Sequence, residues 1–192
     1  MEALLQTQRA AFEQEGPVGA ETRIDRLTRA IALLFDNQQS IAEAIDQDFG
    51  NRSHHQTLIA DIYASMESLK YSKRHVRRWM KPHKRKVPMP LPLVGAKAWV
   101  EYCPKGVVGI LGTWNFPINT VFSPLAGVLA AGNSAMLKFS EVAPTTAALM
   151  AQLVANHFDA SEMACVSGGP EVGAAFSSLP LCLLYTSPSP RD

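Results

Sequence analysis

The sequence predicts an α/β fold: N-terminal helices followed by part of a Rossmann-like parallel sheet. Three observations carry this. Residues 106–111 (GVVGIL), 134–139 (SAMLKF) and 163–169 (MACVSGG) include short apolar runs of the kind that form strands buried on both faces. Each is followed by a helix-like stretch, so strand and helix alternate three times over residues 104–180, as in a right-handed parallel winding. Before residue 82 the apolar residues recur instead at helical spacing.

Taken in order, residues 22–49 hold two helices, with Ile24, Leu27, Ile31 and Leu34 on one and Ile41, Ile45 and Phe49 on the next. Gly50-Asn51 stops the second. Ser53 is placed to cap a long third helix whose buried face reads Ile59, Ile62, Met66, Leu69, Val76 and Met80, ending near Pro82. Prolines 82, 88, 90 and 92 then predict a stiff, extended link, and residues 96–104 a strand. In the α/β part, Gly132-Asn133 is a natural helix stop, and Pro144 suits the first turn of the next helix. This divides the chain into a helical lead-in (1–82), a Pro-rich link with an arm strand (83–103) and a βαβαβα unit (104–180).

Composition narrows the function classes. At 47% hydrophobic and 18% charged, the 192 residues can form a sizeable core. A net charge of +1 gives no whole-molecule argument for nucleic acid or an anionic membrane. There is no apolar run of 18 residues, and the N-terminus lacks the apolar segment of a signal peptide. Cys103, Cys165 and Cys182 are scattered, as expected of a reducing, cytoplasmic setting. They have no metal-ligand spacing, and His54, His55 and His83 have no metal-like partners, so no metal site is expected.

The chemistry is concentrated where the strands end, because open α/β sheets bind ligands outside the carboxyl ends of their strands. Residues 112–117 (GTWNFP) follow the first buried strand. Asn115 there is either a cap for the following helix or an amide donor to a developing oxyanion. Lys138 and Glu141 end the second strand, as a surface ion pair or as partners for ribose hydroxyls. Residues 167–173 (SGGPEVG) end the third, and glycines before a helix allow close approach to a phosphate. No G-x-G-x-x-G follows the first strand, which disfavours the common dinucleotide fingerprint.

Three stretches, PKGVVGILGTWNFP, PLAGVLAAGNSAMLKFSE and SGGPEVG, together resemble the NAD(P)-dependent aldehyde dehydrogenases. The lead-in DRLTRAIALLFDNQQSIAEAIDQDFG and the link KYSKRHVRRWMKPHKRKVPMPLPL resemble the class 3 branch, and within it the coniferyl aldehyde dehydrogenases. The resemblance runs from about residue 20 to 181. It implies an oxyanion-hole role for Asn115 and a cofactor groove lined by the backbone of Thr113 and Trp114. Lys138 and Glu141 would hold the adenosine ribose, with Ser140 beside them, and Gly169 and Gly173 would flank the adenine and pyrophosphate. The implied cofactor is NAD or NADP, with NAD favoured because Glu141 would repel a 2′-phosphate. The implied reaction is attack of a cysteine thiolate on an aldehyde, hydride transfer to the nicotinamide, and hydrolysis of the thioester by a glutamate-activated water. The partners implied are an aldehyde substrate of aromatic, coniferyl type and further copies of the enzyme.

Neither Cys103, ahead of the first buried strand, nor Cys165, within the third, has the accessible electropositive setting of a nucleophile. In the resembled family the nucleophilic cysteine and the general-base glutamate lie further along than residue 192. Residues 182–192 (CLLYTSPSPRD) read as translated sequencing-adapter DNA. The expectation is therefore an N-terminal part of a longer enzyme, without its catalytic domain and without turnover. Residues 181–185 are still apolar enough to fill a strand position before Pro188 and Pro190. A competing reading takes residues 73–86, which hold eight of the 18 Lys and Arg, as a nucleic-acid or anionic-surface contact. The ordinary alternative is a solvated helix face. An acyl-reducing relative of the same superfamily is a further alternative, against which the Trp-Asn-Phe-Pro turn argues.

Overall fold

The computed structural model describes residues 1–180 and the backbone of 182–185. Residue 181 and residues 186–192, which carry most of the expected adapter-derived tail, lie outside the described residues.

Helices come first: α1 (Glu2–Glu15), α2 (Ala20–Asp36) and α3 (Gln38–Phe49). Gly50 closes α3 in the left-handed conformation, φ 78°, as its sequence position suggests. The long third helix of the sequence reading is one winding rod with a change of pitch. It runs through α4 (His54–Gln56), a π-helical segment (Thr57–Tyr63) and α5 (Ala64–Trp79). Ser53 occupies the cap position, but its hydroxyl makes no cap bond. The wider π turn moves the buried face by about one residue. Thr57 and Asp61 are consequently buried, and Ile59, expected in the core, is 67% exposed. Ile62, Met66, Leu69 and Val76 are buried as expected.

The link departs from the sequence reading. Strand β1 (His83–Arg85) pairs antiparallel with β2 (Ala98–Val100), and between them residues Leu91–Val94 coil into a 3-10 turn. A stiff extended link was expected there. The prolines instead set the turn: Pro90 precedes it and Pro92 stands within its first positions.

Strand β3 (Val107–Leu111), α6 (Asn119–Ala130), β4 (Ser134–Lys138), α7 (Pro144–His157), β5 (Met163–Cys165) and α8 (Pro170–Ser177) follow the expected alternation. A further strand, β6 (Cys182–Tyr185), pairs with β3. The sheet is parallel throughout, in the order β5-β4-β3-β6. The pleat divides its side chains between two cores. Val108, Ile110, Ala135 and Leu137 join the large core with α2, α3, α5, α6 and α7. Val107 and Met136 face the other way, against Leu5 of α1, Phe176 of α8 and Leu179. Helix α1, not assigned from the sequence as a separate element, covers this second face. Its buried Gln8 donates to the carbonyls of Ala135 and Ala160, each at 3.0 Å.

Two helices of the sheet layer are capped from the N-terminal layer. Asp48 of α3 accepts the N–H groups of Thr145 and Thr146 and the Thr146 hydroxyl at 2.7–2.9 Å, which satisfies the start of α7. Asp61 accepts the N–H groups of Ile118 and Asn119 at 3.0 and 3.1 Å, at the start of α6. Arg26 and Arg29 of α2 meet Glu162 beside β5 at 2.8–2.9 Å.

Candidate functional site

The carboxyl ends of β3, β4 and β5 form one rim. Beyond β3, Gly112 extends the ladder by donating its N–H to the Lys138 carbonyl at 2.9 Å. A Cβ at this glycine would lie 2.4 Å from a methyl of Val121, so only glycine brings the strand this close to α6. The chain then turns through residues 113–117. The Thr113 hydroxyl donates to Asn115 Oδ1 at 2.7 Å, leaving the amide NH2 as the edge of Asn115 without a partner among the described residues. Asn115 does not cap α6, since Asp61 does so. The capping alternative for Asn115 is thereby removed.

The rest of the turn is held by neighbours that sequence reasoning did not single out. The Thr113 N–H donates to the Thr120 hydroxyl at 3.1 Å, so of its backbone only the carbonyl is left to face a groove. Trp114 is exposed, its ring 6.2 Å from that of Phe49 in a stacked arrangement. The Asn115 carbonyl accepts from Arg52 at 2.5 Å, and Arg52 also pairs with Asp61 at 2.6 Å. Burial pushes the Asp61 carboxyl up. The N–H groups of Asn119 and Ile118 and the Arg52 charge oppose that push. The available signal was a lone carboxylate inside an otherwise apolar run, residues 58–62.

At the end of β4, Lys138 is buried and its Nζ donates to Glu141 Oε2 at 2.6 Å. That hydrogen bond and charge hold the Glu141 carboxyl below its ordinary value, so it is anionic at neutral pH. Ser140 is buried alongside, its hydroxyl accepting from the Val142 N–H at 3.3 Å. Gly173 of α8 backs Lys138: a Cβ there would sit 3.5 Å from Lys138 Cε. The structure forms the ion pair, and Glu141 remains exposed while paired, so the ion pair does not exclude the ribose-binding reading.

Between the ends of β4 and β5 lies a cavity of about 250 Å³, walled by Phe139, Pro144, Ala147, Cys165 and Gly168, with Glu141 at its edge. An apolar slot next to a carboxylate suits a planar base joined to a ribose. Gly168, at φ +150°, packs on Val172, where a Cβ would approach within 2.3 Å. Gly169 precedes α8 and donates its N–H to Glu171 at 3.2 Å. That helix start therefore already holds a carboxylate and would repel a phosphate, so what the glycines contribute is room. Burial pushes the Cys165 thiol up to about 12, and Cys103 is exposed ahead of β3. The raised Cys165 thiol lacks the thiolate character of a nucleophile. The basic run 73–86 lies on the exposed end of α5 and on β1, where Arg77 pairs with Glu21 at 2.5 Å.

A parallel sheet with an amide turn, a lysine–glutamate pair and a glycine-bounded slot along one rim has the architecture of the nucleotide-binding region of a dehydrogenase. The profile of the aldehyde dehydrogenase family matches residues 1–182, and the chain belongs to that family. It is 51% identical over 176 residues to coniferyl aldehyde dehydrogenase of Pseudomonas sp. strain HR199, covering 92% of this chain and 36% of that protein. It is 50% identical over 180 residues to a probable coniferyl aldehyde dehydrogenase of Caulobacter vibrioides, covering 93% and 37%. Family 3 member B1 aldehyde dehydrogenases, such as that of Rattus norvegicus, are more distant at 34%. Among solved structures, Staphylococcus aureus AldH in a substrate-bound state superimposes with a TM-score of 0.87 at 26% identity, covering 94% of this chain and 39% of that one. The chain thus spans little more than a third of the length of these relatives.

Proposed function

We propose that residues 1–181 are the N-terminal part of the nucleotide-binding domain of an NAD(P)-dependent aldehyde dehydrogenase acting on aromatic, coniferyl-type aldehydes. The observation that carries this reading is the Asn115 amide, fixed by Thr113 with its NH2 edge without a partner among the described residues, on the same rim as the Lys138–Glu141 pair. In this reading Asn115 donates to the oxygen of the aldehyde as it becomes tetrahedral. Lys138 and Glu141 hold the adenosine ribose, with Ser140 beside them. The slot next to Glu141 takes the adenine, with Gly168 in its wall and Gly169 and Gly173 following in α8 and its approach, and the Thr113 and Trp114 backbone lines the groove toward the reacting carbon. Bound NAD(P)+ supplies the hydride acceptor. Anionic Glu141 favours NAD, and the neighbouring Lys138 keeps NADP possible.

The substrate class rests on likeness to the Pseudomonas and Caulobacter proteins. The nucleophile and the general base belong to the catalytic domain of the whole enzyme, and the present chain has no turnover of its own. We assign residues 182–192 to adapter-derived sequence; the reading frame downstream of codon 181 tests that. The whole enzyme is a cytoplasmic homo-oligomer in this reading. Exposed Leu93, Val94 and Trp99 around the β1–β2 pair support an assembly surface.

A chimera tests the central claim. Residues 1–180 are joined to the remaining length of the Pseudomonas relative and assayed with coniferyl aldehyde. Asn115→Ala is expected to lower kcat by about a hundred- to a thousand-fold with little change in KM. An unchanged kcat would remove Asn115 from the chemistry.

A further inference from the structure

Arg52 stands in the loop after α3, between the N-terminal helices and the turn that carries Asn115. Its guanidinium lies between two rings, 5.0 Å from the Phe49 centroid and 5.1 Å from the Phe116 centroid. One Nη donates to the Asn115 carbonyl at 2.5 Å and the other to Asp61 Oδ2 at 2.6 Å. The second oxygen of Asp61 receives the N–H groups of Ile118 and Asn119. One buried pair therefore grips the chain on both sides of Pro117.

We propose that Arg52 is a positioning residue that sets where the Asn115 amide points, with Asp61 fixing the guanidinium. The proposal rests on the reading of Asn115 as oxyanion donor. A guanidinium is a rigid planar fork, so the placement of its two acceptors relative to each other is set by its own covalent geometry. The cation–π contacts with Phe49 and Phe116 help to hold that fork in place. Thr113 holds the Asn115 side chain and Arg52 holds its carbonyl, so the residue is anchored on both sides of its Cα. A donor of this kind acts only when it lies within hydrogen-bond reach of the forming oxyanion, and a misplacement of about 1 Å costs about a hundred-fold in rate.

Arg52→Lys separates positioning from folding. It keeps a positive charge opposite Asp61 but replaces the planar fork by a point charge that cannot stack flat. The 192-residue chain is labelled with 15N at its six asparagines, and Asn115 is assigned by the signals lost in Asn115→Asp. In Arg52→Lys the backbone and side-chain NH2 signals of Asn115 are expected to move. Those of Asn119, still bonded to Asp61, and of Asn133, bonded to Val128 and the 105–106 backbone, are expected to stay in place. Asn115 signals that superimpose on the parent overturn the proposal. So does a shift of all six asparagines together, which would mark a general rearrangement. The readout involves no turnover. A chimera whose Asn115 proves dispensable would therefore remove the oxyanion reading while leaving the hold of Arg52 on the turn intact.

Discussion

At the scale of single residues, the proposed preference for NAD over NADP rests on the charge of Glu141. Lys138 comes up buried from the end of β4 and holds Glu141 at 2.6 Å, while the rest of the carboxylate faces solvent at the edge of the slot. Because the pair holds its proton affinity down, Glu141 is charged at neutral pH, where a ribose 2′-hydroxyl can donate to it and a 2′-phosphate is repelled. The pair is partly exposed, so solvent screens that repulsion and only a modest preference follows. Glu141→Gln keeps the shape and removes the charge. It is expected to shift the ratio of NAD+ to NADP+ affinity by about tenfold toward NADP+, read by calorimetric titration of the chimera with each dinucleotide. A ratio that does not move would place the 2′ position away from Glu141.

At the scale of elements, the strands were legible because each is a short, mostly apolar run of the kind a doubly covered parallel sheet buries, and β3, β4 and β5 fall within the expected stretches. Helices α2 and α3 were legible from their spacing, down to the left-handed stop at Gly50. The π segment was not, because helical periodicity assumes one pitch along the whole rod; the burial of Asp61 in place of Ile59 depends on the wider turn. The turn residue Asn115 could be found from its place after a strand. Arg52, 63 positions away, could not, since its partners are set by how the loop after α3 and the π segment pack against the turn after β3. The same holds for Asp48, a cap 97 residues before the helix it serves. Gly112 tests the β3-to-α6 join at this scale. Gly112→Ala places a methyl 2.4 Å from Val121 and is expected to cost about 1–3 kcal/mol in urea unfolding through overpacking. A loss well below that would mean that α6 can retreat from the strand.

At the scale of the whole molecule, the N-terminal helices are joined to the sheet layer through carboxylates as well as through the large core. Asp48 caps α7 from α3, and Glu162 beside β5 receives Arg29 and Arg26 of α2. Burial pushes both carboxyls up. Hydrogen bonds from Thr146 and Thr145 outweigh it for Asp48, and those from Arg29 and Arg26 outweigh it for Glu162, so each ends below its ordinary value of 3.8 or 4.5. Over the interval between the folded and ordinary values, the unfolded chain binds more protons than the folded one, so stability rises with pH there. The contribution of these two groups is thus fully present above about pH 5 and is lost as the pH falls through 4.5 and 3.8 to the lower folded values. Asp61 acts in the opposite sense. Its carboxyl is raised by burial, so protonation of the folded state begins above 3.8 and partly offsets the loss. The loss at Asp48 and Glu162, joined by that at Glu141, is expected to exceed this offset. The urea midpoint is expected to be flat from pH 7 to about pH 5 and to drop below about pH 4.5, and Asp48→Asn is expected to flatten part of the drop. A midpoint that stays level or rises on acidification would show that the gain at Asp61 matches or exceeds the loss at Asp48 and Glu162, and an Asp48→Asn variant whose drop is as steep as the parent's would remove Asp48 from the join.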